Sequence, residues 1–154
     1  MKFSTREDIE APIAHVFEKA SDFAAFERRA LRHGARVYRQ GDGPVTLGAK
    51  WEIEFRLRGR NRKMQATLAA IDAPEMYRFD AVSEHLIAQS SVTLVALSPN
   101  RTRILVAFDL QPRSLTARVM LQPLKLAKAK LTQQFKGRVL EFAKDIEHDY
   151  RNPA

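Results

Sequence analysis

Residues 51–58 read WEIEFRLR. Successive side chains of an extended chain point to opposite faces, so Trp51, Ile53, Phe55 and Leu57 share one side and Glu52, Glu54, Arg56 and Arg58 the other. Such a segment has one face fit for a core and one fit for water. The same period of two spreads outward from it. After the turn Gly59-Arg60-Asn61 come Met64, Ala66, Leu68 and Ala70. After Asp72-Ala73-Pro74-Glu75 come Tyr77, Phe79 and Ala81. Beyond a turn at 83–85, Leu86, Ala88, Ser90, Val92 and Leu94 recur in step; beyond Ser98-Pro99-Asn100, so do Ile104, Val106, Phe108 and Leu110. Upstream, residues 2–10 alternate with Phe3, Thr5, Glu7 and Ile9 on one face, and Val37 and Tyr38 mark a short strand before a glycine-rich connection at 41–48. Turn residues separate the runs at short intervals, which predicts seven antiparallel strands, the last six of them a meander.

Two stretches break this period. Pro12 suits the first turn of a helix, and Ile13, Val16 and Phe17 supply its apolar stripe. Ser21-Asp22 reads as a stop and a new N-cap, opening a second short helix with Phe23, Phe26 and Leu31 turned inward and Gly34 at its end. After Pro112, Ser114 caps a long helix expected to bury Leu115, Val119, Leu124, Leu131, Phe135, Phe142 and Ile146. Pro123 lies inside it and should kink or break it, leaving a short first piece and a long second one.

At 154 residues the chain suits one domain, 1–154. It has no cysteine, so thiol and disulfide chemistry are excluded. The charged start MKFSTREDIE lacks the apolar core of a secretory signal, and no apolar stretch approaches the roughly 20 residues that span a bilayer. These features point to a soluble, cytoplasmic domain. The net charge of +8 favours anionic partners.

The order strand, two short helices, six-strand meander, long terminal helix resembles the helix-grip fold of the START and pollen-allergen-like superfamily (SRPBCC; polyketide cyclase/dehydrase and lipid transport). The residues that carry the likeness are Ile9-Glu10-Ala11-Pro12 with Val16-Phe17, the connection at 41–48 followed by Trp51, and the terminal helix. The likeness spans essentially the whole chain. It implies an α+β fold in which a seven-stranded curved antiparallel sheet wraps around a long C-terminal helix. It also implies a cavity for apolar or amphipathic ligands, without deciding between binder, carrier and enzyme.

In a meander, alternate turns share one end. The turn near Gly59, the turn at 83–85, the crossing at Pro112 and the end of the second short helix should therefore lie together. That end collects Arg32, Arg58, Arg60, Arg62, Lys63, His85, Arg113 and Arg118, a rim suited to anions, whereas the other carries Asp42, Asp72, Glu75 and Arg101. No acidic residue occurs between Asp109 and Glu141, while Arg113, Arg118, Lys125, Lys128, Lys130, Lys136 and Arg138 are basic. A basic amphipathic helix can lie on an anionic membrane.

The inner face should be lined by Trp51, Ile53, Phe55, Met64, Leu68, Tyr77, Phe79, Ser90, Val92, Val106 and Phe108, with Leu131 and Phe135 closing it from the helix. Ligand sites are typically apolar with a few orienting polar groups. Tyr77, Ser90, Thr5 and Glu7 are the candidates for those groups. Glu7 shares its strand face with Ile9, so it needs a partner there or a raised pKa. His15, His33, His85 and His148 show no metal-ligand spacing, and neither a phosphate loop nor a nucleophile elbow is present. No metal, no cofactor and no catalytic set is implied.

Three readings follow. The first is a domain that binds or carries a lipid, quinone or polyketide-like molecule. The second is a cyclase or dehydratase using Tyr77, Glu7 or His85, which needs titratable groups converging in the cavity. The third is a module docking on anionic membrane or RNA through the basic pole. RNA is the poorer partner, because the strand aromatics turn inward, away from base stacking. Charged edge strands favour a monomer.

Overall fold

The computed structural model describes residues 1–57 and 59–153; of Leu57 it describes the backbone. Arg58, a predicted rim residue, lies outside the described residues. Seven strands form one antiparallel sheet: β1 (Lys2–Ile9), β2 (Arg36–Gln40), β3 (Lys50–Leu57), β4 (Arg60–Asp72), β5 (Met76–Val82), β6 (Leu86–Ser98) and β7 (Arg101–Pro112). Their spatial order is β1-β7-β6-β5-β4-β3-β2, the predicted meander with β1 returning to pair with β7. Helices α1 (Ile13–Ala20) and α2 (Phe23–Arg32) join β1 to β2, and α3 (Leu115–Leu126) and α4 (Lys128–Arg151) close the chain.

Register carries the alternation across the sheet. Phe3 opposes Phe108, Phe108 opposes Ser90, Ser90 opposes Phe79, and Phe79 opposes Leu68. One row further, Thr5, Val106, Val92 and Tyr77 line up in the same way. The concave face therefore holds the residues that the sequence pattern placed inward, with one exception. A register shift between Leu68 and Ala70 moves Ala70 opposite Arg78 and Ile71 opposite Tyr77. The extra residue of a bulge reverses strand parity, so Ala70 leaves the inner row that the simple alternation gave it.

Two further expectations are corrected. Leu31 is 62% exposed and does not join the α2 core face, which is carried by Phe23 and Phe26. Leu115 and Val119 are exposed, and α3 instead buries Ala117, Met120 and Leu121. The helical period was right but the face was not, since α3 has apolar residues on two sides and only packing selects one. The break falls at Ala127, one turn past Pro123, and separates a 12-residue α3 from a 24-residue α4.

The core is split into two clusters. One joins Ile9, Val16, Ala20, Trp51, Leu68, Tyr77, Leu94, Ile104, Ala143 and Ile146 beneath α1, α2 and the C-terminal half of α4. The other joins Met64, Leu86, Ala88, Ala117, Met120 and Leu121 beneath α3. Thr102, fully buried, donates its hydroxyl to the Ala11 carbonyl at 2.8 Å and so ties β7 to the β1–α1 corner. Leu68→Ala should destabilise the domain by about 2–5 kcal/mol in urea unfolding, whereas Ile87→Ala on the convex face should change stability by less than about 0.5 kcal/mol.

Candidate functional site

The concave face is closed differently at its two ends. At the end where β1 meets α1, four aromatic rings pack edge to face. Phe23 lies 5.9 Å from Trp51, 5.1 Å from Tyr77 and 5.2 Å from Phe79 between centroids, with interplanar angles of 73°, 89° and 86°. Trp51 Nε1 donates to Glu27 Oε1 at 2.8 Å, anchoring α2 on β3. Tyr77 donates its hydroxyl to the Ala20 carbonyl at 2.5 Å. Burial pushes the Tyr77 phenol well above its ordinary pKa. Its polar atom is thus committed to the end of α1.

In the middle of the face the side chains point inward yet keep accessible surface. Ile53, Phe55, Phe79, Val106, Phe108 and Leu110 are half-buried, as are Leu131 and Phe135 on α4. Phe3 reaches both Phe108 and Phe135, with centroids 6.5 and 5.9 Å away. α4 thereby lies along β1, at one edge of the sheet. Ser90 sits between Phe79 and Phe108 in the register and makes no side-chain hydrogen bond among the described residues. Thr5 and Glu7 also face inward, half-buried, with no side-chain hydrogen bond or ion pair among the described residues.

At the far end, the β3–β4 hairpin projects past its neighbours. The last β2–β3 pair is Arg36 with Glu54, and the β4–β5 register ends at Gln65 with Val82. Strand β4 begins at Arg60, earlier than the composition of the turn indicated. Arg62 is paired with Phe55 and Arg60 with Leu57, so both arginines belong to the concave face by register. A groove of about 540 Å³ opens there, lined by Arg60, Arg62, Leu115, Thr116, Val119 and Met120. The other rim residues divide by role. Arg113 donates Nη1 to the Ser83 carbonyl at 2.6 Å, and its backbone N–H donates to the His85 carbonyl at 2.7 Å. His85 Nδ1 lies 3.1 Å from Ser114 Oγ, which accepts from the Ala117 N–H to cap α3. Arg113 and His85 thus seat the start of α3. Arg32 and Arg118 are exposed. Lys63 turns to the outer face, where Glu52 and Glu54 lie 3.3 and 3.6 Å from its ammonium. The groove's arginines had a signal in the sequence, since the parity that sets Met64 inward extends to both.

The candidate acid–base groups do not converge. Glu7 is on β1 and Tyr77 on β5, separated by three strand spacings of about 4.8 Å each. His85 is at the rim. Among the described residues no group of three or more His, Asp or Glu is placed to hold a metal.

A curved antiparallel sheet, a helix pair between its first two strands and a long terminal helix packed on its concave side define the helix-grip fold. Solved structures with this fold superpose along nearly the whole chain. The aromatase/cyclase Zhui from Streptomyces sp. R1128 matches with a TM-score of 0.68 at 12% identity, over 99% of this chain and 96% of its own. A START superfamily protein from Mycobacterium smegmatis matches with 0.60 at 16%, covering 99% of both. Norcoclaurine synthase from Thalictrum flavum, in complex with dopamine and hydroxybenzaldehyde, matches with 0.61 at 11%, over 95% of this chain and 86% of its own. By sequence the chain matches no protein-family model and no curated protein.

Burial of the Tyr77 phenol has a consequence at high pH. Its folded pKa is raised, so the stability it contributes is present below the ordinary value near 10 and is lost as pH rises beyond it. Between pH 10 and 12, urea titrations of the parent protein should lose up to about 1.4 kcal/mol per pH unit more than those of Tyr77→Phe. At pH 7 the same substitution should cost about 1–2 kcal/mol through the unsatisfied Ala20 carbonyl.

Proposed function

We propose that this domain binds a small amphipathic molecule between the concave face of the sheet and helices α3 and α4. The apolar part lies along Phe55, Phe79, Val106, Phe108, Leu131 and Phe135, and a polar or anionic end sits near Arg60 and Arg62. The observation that carries this reading is the half-burial of large apolar side chains that strand register turns inward, between two separately packed clusters. A close-packed interior would have buried them, because side chains in a core interdigitate with few voids. A guest of roughly drug or lipid-tail size would remove that surface from water at about 25 cal/mol per Å². Ser90, Thr5 and Glu7 supply inward polar atoms that no other side chain among the described residues uses, which suits a ligand with a hydroxyl or carbonyl along its length.

The remaining proposed ligand contacts follow their surroundings. Ile53, Met64, Leu68 and Val92 shape the walls, and Trp51 and Tyr77 form the aromatic floor. A cyclase or dehydratase activity in the same hollow would need a second titratable group beside Glu7, and neither Tyr77 nor His85 supplies it. The reading is therefore a binder or carrier.

Native mass spectrometry of gently purified protein should reveal a bound small molecule that organic extraction recovers. In titrations with anilinonaphthalene sulfonate, an apolar anion, Ser90→Phe should weaken binding roughly tenfold or more, a change of about 1.4 kcal/mol, while keeping the parent's circular dichroism. Equal dye affinity in the parent and Ser90→Phe, with no adduct in the native spectrum, would remove the case for a ligand.

A further inference from the structure

Helix α3 has two apolar stripes. Ala117, Met120, Leu121 and Leu124 pack on the sheet. Leu115, Val119 and Leu126 are 79%, 67% and 90% exposed. At about 100° per residue, the first set centres on one side of the helix and the second on the opposite side. Residues 115, 119 and 126 fall within a sector of about 40°. The outward stripe is thus continuous along the helix and faces away from the sheet.

Charges flank that stripe on one sign only. Arg118 and Lys125 stand beside it on α3, Lys128 and Lys130 follow at the start of α4, and all four are exposed. Arg60 and Arg62 line the groove along its other side. No acidic residue occurs between Asp109 and Glu141 to offset them. A protein partner or a second copy of this chain would need an acidic, apolar surface of matching shape, and the exposed α3 face is basic and cannot complement itself. An anionic bilayer meets both requirements, with acyl chains for the leucines and lipid phosphates or carboxylates for the cations.

We infer that α3 docks this domain on an anionic membrane surface, with Leu115, Val119 and Leu126 inserted at the level of the headgroups and Arg118, Lys125 and Lys128 against the lipid charges. The inference stands on the helix alone and does not require that the hollow hold a ligand. It deepens that reading in one respect: Leu115 and Val119 also line the groove, so docking would bring the groove mouth against lipid.

Flotation with phosphatidylcholine vesicles, alone and with 30 mol% phosphatidylserine, tests it. Binding should need the anionic lipid and weaken steeply as salt rises. Replacing both Leu115 and Leu126 by Ser should reduce vesicle binding more than tenfold, since each removes a buried leucine side chain from the lipid interface. Arg118→Gln with Lys125→Gln should reduce it roughly 10- to 30-fold. Both double variants should melt within a few degrees of the parent, because the residues are exposed. No binding to anionic vesicles, or binding that the leucine variant leaves unchanged, overturns the inference. So does a concentration-dependent dimer, seen by light scattering, that Leu115→Ser/Leu126→Ser abolishes, since that assigns the stripe to a second copy. Loss of dye binding in the parent with vesicle binding intact would sink the ligand reading and leave this one standing.

Discussion

The Tyr77 hydroxyl meeting the Ala20 carbonyl, inside a ring of Phe23, Trp51 and Phe79, is the junction on which the architecture turns. Helix α1 and helix α2 are short, with eight and ten residues, and such helices are marginal without tertiary packing. Their position is fixed by the aromatic rings beneath them and by two hydrogen bonds to the sheet, from Tyr77 and Trp51. Once the pair is held at that end, it covers the first core cluster together with the C-terminal half of α4. The long helix packs along β1.

This division of labour explains why the core has two parts. Seven strands spaced about 4.8 Å apart make a face far wider than one helix, whose diameter is about 10–12 Å. No single helix can bury it. The aromatic corner under α1 and α2 closes one end and α3 closes the other, each with its own cluster. The large inward side chains between them, Phe55, Phe79, Val106 and Phe108 among them, stay half-buried. Polar residues at the α3 end work mainly as fasteners: Arg113 and His85 hold the β5–β6 turn and the helix cap together. The arginines of the projecting hairpin, Arg60 and Arg62, are the ones presented to the groove.

Much of this was legible from the period of two. Strand order, inward faces and the helix break near Pro123 follow from alternation, turn residues and proline chemistry, all of which are local. What could not be read depended on contacts between distant segments. The bulge beyond Leu68 adds one residue to a strand whose composition, Ala69-Ala70, gives no hint of it. α3 has apolar residues on opposite sides, so periodicity alone left two faces open and the sheet chose Ala117, Met120 and Leu121. Tyr77 looked like a ligand donor because it faces inward, but its hydroxyl is claimed by a carbonyl 57 residues earlier in the chain. Glu7 was expected either to pair with a cation or to stand alone, and the choice between them depended on side chains from strands and helices far away in sequence.

The projecting β3–β4 hairpin has one more implication. Residues 60–64 of β4 are bonded on one edge to β3 and have no strand on the other. Their amides lack the second layer of ladder that protects the centre of the sheet, and their attachment to the body runs through Phe55 and Met64 under α3. Hydrogen exchange at this tip should therefore report the seating of α3: whatever lifts the helix also frees the ribbon. The two would open as one cooperative unit at a free-energy cost well below that of global unfolding.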